Sequence, residues 1–165
     1  MTDKLNHFDS DGNAVMVDIS EKNPTSRMAR AQGVIAVSRA VFDTIKAGTC
    51  KKGDVLSVAR IGGIMAVKRT AQIIPLCHTI LITNCAVDFS CDDEKNEITA
   101  VCTVKTEGRT GAEMEALTGV SASLLTIYDM CKAIDRSMVI KNIRLCEKSG
   151  GKSGHFLFEG KNNAD

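Results

Sequence analysis

Thr110-Gly-Ala-Glu-Met-Glu-Ala-Leu-Thr-Gly-Val-Ser-Ala-Ser-Leu-Leu-Thr-Ile-Tyr-Asp-Met-Cys-Lys-Ala-Ile134 carries Leu117, Val120, Leu124, Ile127, Cys131 and Ile134 at alternating steps of three and four, the apolar stripe of an amphipathic helix. Thr110 and Glu113 stand three apart at its head, the pattern of a capping box. Such a helix needs a surface to lie on, and the preceding residues supply one. Leu81, Thr83, Cys85, Val87 and Phe89 alternate with Ile82, Asn84, Ala86 and Asp88. A polar turn at 92–96 then leads into Ile98, Ala100, Cys102 and Val104, which predicts an antiparallel hairpin.

Outward from this unit, Val34, Ile35 and Val37 predict a strand within 28–38, and residues 40–47 a helix stopped by Gly48. A second helix is expected after Lys52-Gly53-Asp54, running to about residue 73 because Pro75 disfavours helical geometry just before it. Beyond the long helix, a strand at about 139–145 and a short edge piece at Phe156-Leu-Phe158 complete the chain. The order strand, helix pair, strand, strand, helix, strand closes most naturally as an α+β split βαβ sheet with helices on one face. We read residues 1–26 as a polar N-terminal arm with a turn at Asp11-Gly12, 27–158 as one domain, and 159–165 as a flexible tail.

A chain of 165 residues suits a single core. With 21 basic and 20 acidic residues and a net charge of +1, no global field draws it to nucleic acid or an anionic membrane. There is no Trp and only Tyr128 among tyrosines, so platforms for stacking bases are nearly absent. No apolar run is long enough to span a bilayer and no signal sequence is visible, which leads us to expect a soluble cytoplasmic protein. The seven cysteines are odd in number and scattered, as in reduced thiols. His7, His78 and His155 do not cluster with acids or thiols at ligand spacing, so no protein-held metal is expected.

Lys148-Ser-Gly-Gly-Lys-Ser-Gly154 has the composition of a loop that wraps a polyanion, glycines turning backbone N–H groups inward while Lys148 and Lys152 neutralise charge. It is not a Walker loop, because Cys146 stands where the first glycine belongs. A flexible polar tail is the bland alternative. Asp129 and Lys132 are neighbours at i,i+3, either a surface ion pair or a proton-transfer pair. Glu115 falls on nearly the same helical face, about fourteen residues and roughly 21 Å away, so one small ligand reaches both only if a site is shared between subunits. Glu113 has a capping role of its own. His78, just past Pro75, is a candidate acid, base or phosphate donor, and equally a packed residue. Cys77 lacks a visible orienting partner. Lys52 precedes helical first-turn amides that could hold an anion, as could Arg27 and Arg30.

Together, Lys52-Gly-Asp54, Pro75-Leu-Cys-His78, Gly111-Ala-Glu-Met-Glu-Ala-Leu117, Thr126-Ile-Tyr-Asp-Met-Cys-Lys-Ala133 and the lysine-glycine loop closely resemble the cyclic pyranopterin monophosphate synthases, the C proteins of molybdenum cofactor biosynthesis. The likeness runs from about Phe8 to Phe158. It implies a ferredoxin-like catalytic domain, a homohexamer built as a trimer of dimers, and active sites at subunit contacts. It also implies a phosphorus–oxygen lyase that converts (8S)-3',8-cyclo-7,8-dihydroguanosine 5'-triphosphate into cyclic pyranopterin monophosphate and pyrophosphate. Carried over by residue, Asp129, Lys132 and Lys52 would be catalytic. Leu76, Cys77, His78, Met114, Glu115 and Lys148 would bind substrate, with Lys152, Glu113 and Arg27 beside them. No tightly bound cofactor is expected, and any magnesium would enter with the triphosphate. The chief alternative is a non-catalytic, guanine-nucleotide-sensing regulatory module; a hydrolase of ordinary GTP is another.

Overall fold

Strand β1, Thr25–Ala36, is the middle strand of a five-stranded sheet. The computed structural model describes residues 11–152 and 154–159, so His7 and Phe8 lie outside the described residues, as do most of the proposed tail and the first part of the arm. On one side β1 pairs with β3, Glu97–Gly108, which turns back from β2, Ile82–Asp92; on the other it pairs with β4, Val139–Ser149, and β4 with the short β5, Phe156–Leu157. The sheet order β2-β3-β1-β4-β5, antiparallel throughout, is a ferredoxin-like arrangement of the split βαβ kind.

The alternation foreseen in the hairpin is what builds the core. Ile98, Ala100, Cys102 and Val104 are all fully buried on one face of β3. Helix α4, Glu113–Cys131, lies across that face and inserts Val120, Leu124, Ile127 and Cys131. Gly33 of β1 lets it come close, since a Cβ there would lie 2.8 Å from side-chain carbons of Val120, Leu124 and Ile143. Helix α1, Arg39–Ala47, ends at Gly48 in the left-handed region with φ 65°, the predicted stop.

Four expectations need correction. The second helix is divided: α2 runs Val55–Val67, and the single turn α3, Thr70–Ile73, follows after Lys68 and Arg69, with the Thr70 hydroxyl donating to the Val67 carbonyl at 3.1 Å. The capping box does not form. Helix α4 starts at Glu113 with Ala112 at its cap position and no side-chain cap, because the Glu113 carboxylate pairs with Lys148 at 3.0 Å instead. The apolar stripe ends earlier than predicted: Leu117 is half-buried and Ile134, past the helix end, is 46 % exposed. Finally, β4 extends to Ser149, so Lys148 stands on a strand and the glycine loop proper begins at Gly150.

Helix α2 packs along a second side of α4, with Gly62 and Gly63 set against Thr126, Ser123 and Gly119. A helix buried on two sides needs more apolar surface than one stripe, and Ala116, Ser123 and Met130 are buried accordingly. Glu115, on the side of the helix away from the Leu117 stripe, is buried as well.

Candidate active site

Helix α4 carries candidate residues at both ends. At the C-terminal end, Lys132 Nζ donates to Asp129 Oδ1 at 2.5 Å, and Lys52 Nζ donates to the Asp129 carbonyl at 3.0 Å and to its Oδ2 at 3.3 Å. Sequence proximity accounts for Lys132, at i+3. Lys52 arrives from a turn closed by the Gly53 N–H donating to the Cys50 carbonyl. The α2 first turn is already served by its own cap, Asp54, which accepts from the Ser57 N–H at 3.1 Å. Lys52 itself turns to the Asp129 carboxylate. Hydrogen bonds from Lys132 and then from Lys52 hold the Asp129 carboxyl below the usual carboxylate range. The Asp129 side chain is 58 % exposed, so it is open to solvent.

At the N-terminal end the structure gathers a second group. Glu113 pairs with Lys148 of β4, both partly buried. Glu115 is only 4 % exposed, and burial, with a smaller contribution from the charge of Glu113, pushes its carboxyl above the usual range. Cys77 lies close enough for its thiol to be pushed up by burial and then by Glu115. His78 Nε2 lies 2.8 Å from the Val17 carbonyl, which holds the ring against the N-terminal arm. Leu76 is half-buried, and Met114 is 37 % exposed.

Beside this group Arg27 Nε donates to the Gly108 carbonyl at 3.0 Å. Gly150 and Gly151 adopt φ of 92° and 74°, and a side chain at Gly151 would collide with the Arg27 guanidinium. The result is a groove of about 610 Å3 lined by Glu21, Lys22, Asn23, Thr25, Arg27, Gly151 and Lys152. Three cations, Lys22, Arg27 and Lys152, line it together with the acidic Glu21. Lys22 is the contributor that sequence reading missed: it sits in the polar arm, where no periodicity marks a functional side chain. Arg30 is not in this groove and pairs with Glu147 at 3.0 Å.

Thus Lys52, Asp129 and Lys132 stand at one end of a nineteen-residue helix, and Glu113, Glu115, Cys77 and Lys148 at the other. The rise of 1.5 Å per residue separates the ends by roughly 21 Å between Glu115 and Asp129. Among the described residues no group of three or more His, Cys, Asp or Glu side chains is arranged to hold a metal ion, and no helix is long and apolar enough to cross a membrane.

This division over two helix ends is set on a chain whose residues 16–151 match the model of the MoaC family. The chain belongs to the MoaC family. Relatives named cyclic pyranopterin monophosphate synthase are similar over nearly their whole length. The protein from Clostridium botulinum is 57 % identical over 159 residues, covering 96 % of this chain and all of the relative. That from Clostridium acetobutylicum is 57 % identical over 156 residues, covering 94 % and 97 %. That from Limosilactobacillus fermentum is 54 % identical over 158 residues, covering 96 % and 95 %. The matched span of the MoaC family includes both helix ends and the groove as far as Gly151.

Glu115 offers a test of its environment in this MoaC chain. A carboxyl whose folded pKa is raised favours the folded state below its unfolded pKa, and that contribution is lost as pH rises through the folded value. Glu115→Gln is therefore expected to raise the unfolding midpoint near neutral pH and to make no difference at pH 3. Paired thermal melts across that range check it; an unchanged midpoint at neutral pH would contradict the burial argument.

Proposed function

We propose that this protein is a cyclic pyranopterin monophosphate synthase of molybdenum cofactor biosynthesis. In this reading it acts as a phosphorus–oxygen lyase on (8S)-3',8-cyclo-7,8-dihydroguanosine 5'-triphosphate and releases pyrophosphate. The observation that carries the reading is Asp129, held between Lys132 and Lys52 in a chain of the MoaC family. The reaction moves protons while the purine-derived rings open and reclose, and an ionised carboxylate flanked by two ammonium groups can take and return them. Substrate-binding roles fall to Leu76, Cys77, His78, Met114, Glu115 and Lys148, with Glu113 orienting Lys148. Arg27, Lys152 and the glycine loop receive the triphosphate. Their charge offsets that building on the departing pyrophosphate as the remaining phosphate cyclises.

No bound cofactor is needed in this scheme, and magnesium enters with the triphosphate as part of the substrate. A small substrate cannot touch both ends of α4 in one chain. The site is therefore completed by a second copy, as in a homohexamer assembled as a trimer of dimers. The enzyme would work in the cytoplasm, where its substrate is made.

The test is to incubate purified protein with the cyclised dihydro-GTP and, separately, with GTP. The expected result is one pyrophosphate and one pterin product per cyclised molecule, with GTP untouched. Binding without turnover would favour the nucleotide sensor, and equal release from GTP the hydrolase.

A further inference from the structure

Two cysteines lie directly under the Asp129 centre, one in each segment that supplies a lysine. Cys50 stands two residues before Lys52, and Cys131 falls between Asp129 and Lys132. The Cys50 Sγ is 3.8 Å from the carbonyl of Met130, the residue next to Cys131. Both are free thiols; Cys50 is half-buried and Cys131 fully buried at the end of α4. The Cys50 carbonyl also accepts the Gly53 N–H at 3.0 Å, which closes the turn on which Lys52 sits. Any displacement of Cys50 is thereby passed to Lys52 through one hydrogen-bonded turn.

We propose that Cys50 and Cys131 are a thiol–disulfide modification site that takes small-molecule disulfides as its co-reactant and sets the position of Lys52. The step balances as an exchange. The Cys50 thiolate attacks one sulfur of the small disulfide and expels a thiolate. The Cys131 sulfur then attacks the Cys50 sulfur of the mixed disulfide and expels the second thiolate. Two protein thiols are oxidised, one small disulfide is reduced to two thiols, and the two protons leave with them. Cys50 goes first because it is the reachable one, and because burial pushes the Cys131 thiol up to about 11. A disulfide brings its sulfurs to about 2.05 Å, well inside the contact distance of two thiols. Closing that gap draws the turn toward α4, away from the geometry in which Lys52 donates to Asp129.

The effect on turnover rests on the proposed function, whereas the thiol chemistry does not. The experiment treats the full-length protein with oxidised glutathione, maps disulfides by non-reducing peptide mass spectrometry, and follows pyrophosphate release from the cyclised substrate. The expected result is a Cys50–Cys131 linkage and a rate lowered about tenfold or more, since misplacement by 1 Å can cost on the order of 100-fold. Dithiothreitol should restore the rate, and Cys50→Ser should keep its rate under the same oxidant. A linkage at Cys85–Cys102 instead, a linkage at Cys50–Cys131 with an unchanged rate, or an equal loss of rate in Cys50→Ser would overturn the proposal. If the reduced protein shows no turnover at all, the functional reading fails while the peptide map still decides whether the two thiols join.

Discussion

Asp129→Asn is expected to lower pyrophosphate release from the cyclised dihydro-GTP by about 100- to 10,000-fold, the range of a lost proton-transfer group, while the unfolding midpoint barely moves. The amide keeps the size and the hydrogen-bond acceptor of the carboxylate but cannot take a proton. Stability should hold because Asp129 and both lysines are about half exposed, and exposed ion pairs contribute little to folding. The contrast between the two readouts separates a catalytic centre from a surface salt bridge, which would move neither. The pH profile gives a second handle. Because Lys132 and then Lys52 hold the carboxyl low, the acidic limb of kcat/KM should lie below the ordinary carboxylate range. Removing a cation raises a carboxyl pKa, so Lys52→Ala should shift that limb upward in whatever activity remains.

Gly63→Val is expected to be the most damaging substitution for stability among those considered. A Cβ at this position would overlap the Ser123 hydroxyl and sit 2.9 Å from the Gly119 carbonyl, with Val87 at 3.2 Å. The hydroxyl is itself fixed by donating to Gly119 at 2.9 Å. Overpacking of this kind costs about 1–3 kcal/mol. The branched side chain should reach the upper end, lowering Tm by about 2–4 °C for each kcal/mol. Gly63→Ala should cost less, and Ser123→Ala in the same chain should recover part of it by removing the overlapping atom. Thermal melts of the four proteins check this. A Gly63→Val midpoint equal to wild type would mean that α2 does not seat on α4 as described.

The elements most legible in sequence were those governed by one local rule. Alternation marked β2 and β3, a three-and-four period marked α4, and Gly48 marked the end of α1, because each depends on a single buried face or one backbone conformation. Features set by two elements at once were legible only in part. Glu115 lies away from the Leu117 stripe on a helical wheel, where Ala122 and Leu125 hint at a covering element without saying which, and the residue is buried. Thr110 and Glu113 have capping spacing, but Lys148, thirty-five residues on, offers Glu113 a charged partner that a local pattern cannot reveal. The pairing of Lys52 with Asp129 spans 77 residues and left no periodic trace; only the family resemblance put both at one centre. The groove cations Arg27 and Lys152 followed from composition and resemblance, whereas Lys22 had neither to announce it.

The central claim is that the two ends of α4 serve one site made from two copies of the chain, and mixing variants tests it most directly. One partner carries Asp129→Asn, the other Glu115→Gln with Lys148→Ala, and each alone should be nearly inactive. In a symmetric assembly with sites shared between subunits, random pairing leaves one intact site in each mixed pair, so co-assembled protein should recover roughly a quarter of wild-type turnover. Turnover no greater than the sum of the two parents, in material shown to have exchanged subunits, would contradict the account and confine the chemistry to one end of the helix.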